Sequence, residues 1–236
     1  MGYDADSSSR SRQQYMARLG ILQTSSSANV SKKLSASVTL LLLDWDDTLF
    51  CTSALRTCSL EPGCSELLRL EDSIKSFLRT CKMLGETVVI TNAQHTWVES
   101  CIMAYLPGLT QEFRHVRVLS ARDRYEARFP HDPVAWKCET FAELKENSSQ
   151  IANLIAVGDQ QAEMTAVTAL AKAYRTSYVK TVRLIQQPTV EELIKQLNLI
   201  RNKLPKIVGL VRHINITMRQ KNLLEDAERE TNAKNP

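Results

Sequence analysis

The chain has 236 residues, 43% hydrophobic and 24% charged, with a formal net charge of +4. That is enough apolar material for one sizeable domain with extensions, and so small a charge gives no reason to expect a nucleic-acid or membrane-surface partner. No stretch approaches the roughly 18 apolar residues of a membrane span, and six scattered cysteines without paired metal spacing fit reduced, mostly buried thiols in a cytoplasmic protein.

Residues 1–36 are rich in Ser, Arg and Gln, with serine runs at Ser7–Ser9 and Ser25–Ser27. Low complexity predicts a mostly disordered N-terminal arm. Met16, Leu19, Ile21 and Leu22 are spaced for one short amphipathic turn. The arm lacks an apolar signal core, and Asp6 stands where a myristoylation signal needs Ser or Thr. Without a secretory signal, the sequons at Asn147 and Asn215 carry little weight.

A catalytic domain is expected over 37–205. Val38 to Leu43 is continuously apolar, as a strand buried on both faces of a parallel sheet must be. It ends in Asp44, Trp45, Asp46, Asp47 and Thr48. Leu70, Ile74, Phe77, Leu78, Cys81 and Leu84 recur at helical spacing, and Gly85 stops that helix. Thr87 to Ile90 is a second strand, ending at Thr91 and Asn92; a helix over His95 to Tyr105 follows, broken by Pro107-Gly108. Val116 to Leu119 reads as a third strand, with Lys137 in an apolar setting ahead of a helix around Phe141 and Leu144. Ile151 to Val157 is a fourth strand, closed by Gly158-Asp159, and Ala162 to Ala173 a helix carrying Glu163. Tyr178 to Ile185 is a fifth strand. Thr189 and Glu192 form a capping box before the stripe Leu193, Ile194, Leu197, Ile200, Leu204. Residues 206–236 read as a C-terminal extension, in which Ile214, Ile216 and Met218 alternate like an edge strand, able to pair with a second copy or a partner chain. The tail beyond Leu223 is polar.

Strands alternating with helices predict an α/β fold with a doubly wound, Rossmann-like parallel sheet. The strand ends of such a sheet open on one edge, where ligands bind. Gathered there would be Asp44, Asp46, Thr91, Asn92, Asp159 and Glu163, with Lys137 nearby. Several carboxylates around one point repel each other unless a cation joins them. Oxygen-only ligands favour Mg2+, leaving Thr91 and Lys137 as donors to a phosphate.

The order Asp-x-Asp-x-Thr (Asp44, Asp46, Thr48), strand-end Thr91, Lys137, then Gly158-Asp159 and Glu163 resembles the haloacid dehalogenase (HAD) superfamily, whose members are mostly phosphatases. The resemblance runs from about Val38 to Ile185. The spelling Trp-Asp-Asp-Thr-Leu, with Trp136-Lys137, also resembles a eukaryotic subgroup and implies no particular substrate. The resemblance implies that Asp44 is a nucleophile forming an aspartyl-phosphate, and that Asp46 is general acid, then base. It implies magnesium held by Asp44, the backbone carbonyl of Asp46, and Asp159, and phosphate held by Thr91, Asn92 and Lys137. Glu163 stands where the family more often has Asp; its role is the metal's water shell, or simple solvation of a helix turn. An acid at Asp46 favours rapid hydrolysis, with transfer to another acceptor as a variant outcome.

Neither Asp44–Thr91 nor Thr91–Lys137 is long enough for a separate cap domain. The expected enzyme is capless or nearly so, with at most a small flap between Cys51 and Arg69. Such a site admits large substrates such as phosphorylated protein segments, and takes shielding from the substrate or from a homo-oligomer partner. The alternative is a catalytically weak or inactive HAD-fold scaffold acting through protein–protein binding, for which the arm and tail would serve. Arg122, Arg124 and Arg128, interleaved with Tyr125 and Phe129, form either a basic lip or a solvated loop face, and the second is favoured. None of His95, His115, His131 and His213 is expected to hold metal. Trp45 should point away from the flanking acids and pack. Cys51 would be oxidation-sensitive only with a low thiol pKa.

Overall fold

The computed structural model describes residues 39–58, 60–144, 151–172 and 178–220. The expected arm, the short turn of Met16 to Leu22, Asn147 and the tail beyond Leu223 lie outside them.

Six parallel strands make one sheet in the order β3-β2-β1-β4-β5-β6: β1 Thr39–Leu43, β2 Glu86–Thr91, β3 Arg117–Ser120, β4 Asn153–Gly158, β5 Tyr178–Arg183 and β6 Ile214–Thr217. The doubly wound α/β architecture expected from the alternation is therefore present. The chain builds outward from β1 in one direction through β2 and β3, then returns and builds through β4, β5 and β6 in the other. Such an order leaves a crevice where the direction reverses, between β1 and β4. There Leu43 pairs with Val157, and the Asp44 amide extends the ladder by donating to the Val157 carbonyl (3.0 Å).

Among the described residues the helices are α1 Thr52–Thr57, α2 Ser65–Leu84, α3 His95–Tyr105, α4 Thr110–Phe113, α5 Ala121–Tyr125, α6 Pro133–Glu143, α7 Gln161–Ala171 and α8 Val190–Gly209, with a 3-10 turn at Pro107–Leu109. Strand side chains alternate between two cores. Leu41, Leu43, Val89, Ile155 and Val157 join residues of α1, α2, α3 and α8. Leu40, Leu42, Val88, Ile90, Leu154 and Ala156 join α6 and α7 on the other face. Being buried on both faces explains why β1 is apolar at every position after Thr39. The stripe of α2 is buried as its spacing predicts, and packs against α8. Gly85 ends α2 where a side chain would collide: a Cβ there would run into the Thr39 carbonyl and lie 2.8 Å from the Thr39 Cβ.

Two boundaries differ from expectation. Lys137 lies within α6, not ahead of it, because Asp132 caps that helix by accepting from the Ala135 amide (2.9 Å) and Pro133 occupies its first turn. The boundary expected at residue 205 falls inside α8, which carries Pro205 and runs on to Gly209. Beyond it, β6 pairs in parallel with β5, so the sheet extends to Thr217. Buried Lys180 on β5 fixes the end of α8, donating to the carbonyls of Ile207 (2.7 Å) and Val208 (2.8 Å). Burial pushes the Lys180 ammonium down to about 8. Between Asp44 and Thr91 the described chain forms α1, α2 and β2; between Thr91 and Lys137 it forms short helices and β3. No described helix is long and apolar enough to cross a membrane.

Candidate active site

β1 and β4 deliver their terminal acids side by side at the reversal point. The carboxylates of Asp44 and Asp159, with that of Glu163 from the first turn of α7, are buried, and one oxygen from each lies within 4.8 Å of the others. Lys137 reaches them from α6: its Nζ lies 2.7 Å from Asp44 Oδ1 and also contacts Glu163 Oε1. One ammonium thus faces three acids. Burial, reinforced by the charges of Glu163 and Asp159, pushes Asp44 up to about 8, even against the attraction of Lys137. Burial and Glu163 push Asp159 up to about 6. Lys137 moves the other way for its type: burial opposes its charge, but Asp44 and Glu163 outweigh it and hold the ammonium above its ordinary range. A buried group with surplus negative charge and only oxygen donors suits a hard divalent cation. Three oxygens that already lie within 4.8 Å of one another can converge on one such ion.

Gln160 organises two of the acids. Its side-chain amide donates to Asp159 Oδ2 (2.5 Å), and its backbone amide donates to Glu163 Oε2 (3.1 Å), one arm of a capping box at the start of α7. Gln186 donates in turn to Gln160 Oε1 (2.9 Å).

Asp46 sits apart from this group, and its carboxylate is not among the three clustered acids. Its Oδ1 accepts from Thr52 Oγ1 (2.5 Å) and Trp97 Nε1 (3.0 Å); its Oδ2 accepts from Thr91 Oγ1 (3.2 Å). The sequence thus brings Asp46 and Thr91 together, but the threonine hydroxyl is engaged, also accepting from the Ala93 amide (2.9 Å). Asn92 follows β2, and its buried Oδ1 lacks a hydrogen-bond partner. That atom is an acceptor, so an approaching phosphate would need the Asn92 nitrogens instead.

The turn after β1 is built by Asp47. Its φ is +52°, and its carboxylate accepts from the Ser53 amide (2.8 Å) and hydroxyl (2.5 Å). Local side-chain bonding of this kind supports left-handed backbone at Asp. Thr48 takes no part in bracing the turn through its side chain, since its buried hydroxyl lacks a partner. Trp45 packs as expected, fully buried, with its ring 5.8 Å from Phe50 and edge-on to Phe113 at 5.5 Å. Cys51 is buried and its thiol is pushed up to about 12 by that burial, which removes the condition for easy oxidation. The arginines of the region after β3 face other partners: Arg122 pairs with Glu126 (2.9 Å), Arg124 with Glu143 (2.5 Å), and Arg128 lies 5.0 Å over the Phe129 ring. A solvated face fits these pairings.

Thr52, Trp97 and Gln160 escaped the sequence reading. Gln160 carried a signal, since it adjoins Gly158-Asp159 at a helix start. Trp97 carried none, being 51 residues from the acid it meets. Comparison with family models finds no match, and neither curated proteins nor solved structures match the chain.

Proposed function

We propose that this chain is a magnesium-dependent phosphomonoester hydrolase of the HAD type, forming an aspartyl-phosphate on Asp44. The observation that carries the reading is the meeting of Asp44, Asp159 and Glu163 with Lys137 at the sheet's reversal point, while Asp46 stands on separate partners two residues from Asp44.

Asp44, Asp159 and Glu163 would hold the ion, with the Asp46 backbone carbonyl as a fourth protein ligand. Bound there, magnesium would neutralise the surplus negative charge and offset the charge of an incoming phosphate. Asp44 attacks phosphorus; its new O–P bond forms as the bond to the leaving oxygen breaks. Asp46 gives that oxygen its proton. Asp46 then takes a proton from water, whose oxygen attacks phosphorus and releases Asp44. Lys137 balances charge on the phosphoryl oxygens, and Thr91 turns its hydroxyl toward them once Asp46 no longer needs it. Glu163, bonded to both Lys137 and the Gln160 amide, sets the position of the ammonium. The short connections on either side of Thr91 support a site open to large substrates, phosphorylated protein segments among them.

The test compares the unsubstituted chain with Asp44→Asn on p-nitrophenyl phosphate, with magnesium and with EDTA. Turnover that requires both Asp44 and magnesium is expected. Equal traces from both proteins would favour the scaffold alternative. Phosphopeptides set against sugar phosphates and nucleotides test the open site, and a marked preference for small metabolites would overturn it.

A further inference from the structure

The three donors on Asp46 are unevenly shared between its two oxygens. Oδ1 accepts two, from Thr52 Oγ1 at 2.5 Å and Trp97 Nε1 at 3.0 Å. Oδ2 accepts only the longer bond from Thr91, at 3.2 Å. Oδ1 is thereby occupied, and Oδ2 keeps capacity to carry and release a proton.

The two donors on Oδ1 come from two different helices, α1 and α3. Thr52 opens α1, whose start at Cys51 has no side-chain cap; its hydroxyl goes to Asp46 instead. Trp97 lies in the first turn of α3, which also starts without a side-chain cap, at Gln94. Its ring packs against the core beneath, so the indole N–H has a fixed aim. Trp97 is half-buried, and its indole N–H finds an acceptor inside the protein rather than in water. Here the acceptor is the carboxylate two residues beyond Asp44.

We propose that Trp97 and Thr52 are positioning residues for Asp46: by occupying Oδ1 they turn Oδ2 toward the leaving group as the oxygen that delivers its proton. The proton passes from Oδ2 to the ester oxygen while the P–O bond breaks and the Asp44–phosphorus bond forms. The proposal rests on the phosphatase reading above.

The experiment uses the full chain with magnesium and compares kcat/KM, which isolates the step ending in phosphoryl transfer, on two aryl phosphates. p-Nitrophenolate leaves as a stable anion and needs little help from an acid, whereas phenolate needs the proton. Trp97→Phe and Thr52→Val are each expected to lower kcat/KM on phenyl phosphate by roughly tenfold more than on p-nitrophenyl phosphate, a part of the 10²–10⁴-fold typical of general acid catalysis. Equal losses on both substrates would mark these residues as structural only and overturn the proposal, as would no loss on either. If one variant does not fold, the other decides. Asp44→Asn separates the two levels: if it keeps the turnover of the unsubstituted chain, the phosphatase reading fails first, whatever Trp97 does.

Discussion

Lys137 Nζ lies 2.7 Å from Asp44 Oδ1, deep enough that both side chains are almost wholly removed from water. The lysine also contacts Glu163, so one ammonium serves two of the three clustered acids directly. Lys137→Met would leave those three buried acids with no internal cation. Removing one partner of a buried pair destabilises by about 3–5 kcal/mol. That loss is expected in urea unfolding with EDTA present, and magnesium should recover part of it. A loss below about 1 kcal/mol would show that the lysine is not balancing the acids.

The same surplus charge makes the metal-free protein unusual in its response to pH. Asp44 and Asp159 have folded-state pKa values pushed up to about 8 and about 6, above the ordinary value of 3.8. A carboxyl shifted upward binds more protons folded than unfolded, so its contribution is full below the unfolded value and is lost as pH rises through the folded one. In EDTA, stability should therefore fall from about pH 4 to about pH 8, the reverse of a salt-bridged acid. Asp159 alone contributes on the order of 3 kcal/mol over its whole range. Saturating magnesium should flatten the slope, and Asp44→Asn should lessen it. Chemical unfolding at several pH values checks this; a rising curve in EDTA would contradict it.

Much of this site was legible because its residues sit at strand ends that declare themselves. β1 is buried at every position, with both faces covered, and its acids begin at the residue that follows the strand's end. Gly158-Asp159 closes β4 in the same way. Helix α3 was readable from His95 to Tyr105 because Pro107 marks its limit. The start of α6 is announced by Asp132-Pro133, but the stronger apolar pattern around Phe141 points further along the chain. Long-range partners were not legible at all. Nothing near Trp97 tells that its N–H meets Asp46, and nothing near Lys180 tells that it will cap α8. The alternation of Ile214 and Ile216 suggested an edge strand, but its parallel pairing with β5 depends on the route of α8 back across the sheet.

Gln160 links the acids more economically than the usual short capping residue. Serine or asparagine caps more often and would keep the backbone amide bond to Glu163, but the longer Gln160 side chain adds the bond to Asp159. Gln160→Ala should weaken magnesium binding by about 10–100-fold, the usual effect of losing a group that orients metal ligands, with a cap loss of about 1 kcal/mol. Calorimetric titration with magnesium measures the first, and urea unfolding in EDTA the second. Loss of stability without loss of affinity would reduce Gln160 to a helix cap.

Gly158 precedes Asp159 for a reason of space. A Cβ at this position would lie 2.6 Å from Glu163 Cγ and 2.9 Å from both Cδ and Oε2, well inside the ordinary carbon contact of about 3.5–4.0 Å. The backbone has little room to retreat: Gly158 pairs with Arg183 on β5, and its carbonyl accepts from the Leu184 amide at 2.8 Å. Glu163 must give way instead, and in moving it leaves Lys137 and the other acids. Gly158→Ala is thus expected to fold, with an overpacking loss of about 1–3 kcal/mol, yet to bind magnesium at least about tenfold more weakly. Glu163→Gln should weaken binding in the same direction without the packing loss. If Glu163 only solvates its helix turn, both variants will bind magnesium as the unsubstituted chain does, and calorimetry will show it directly.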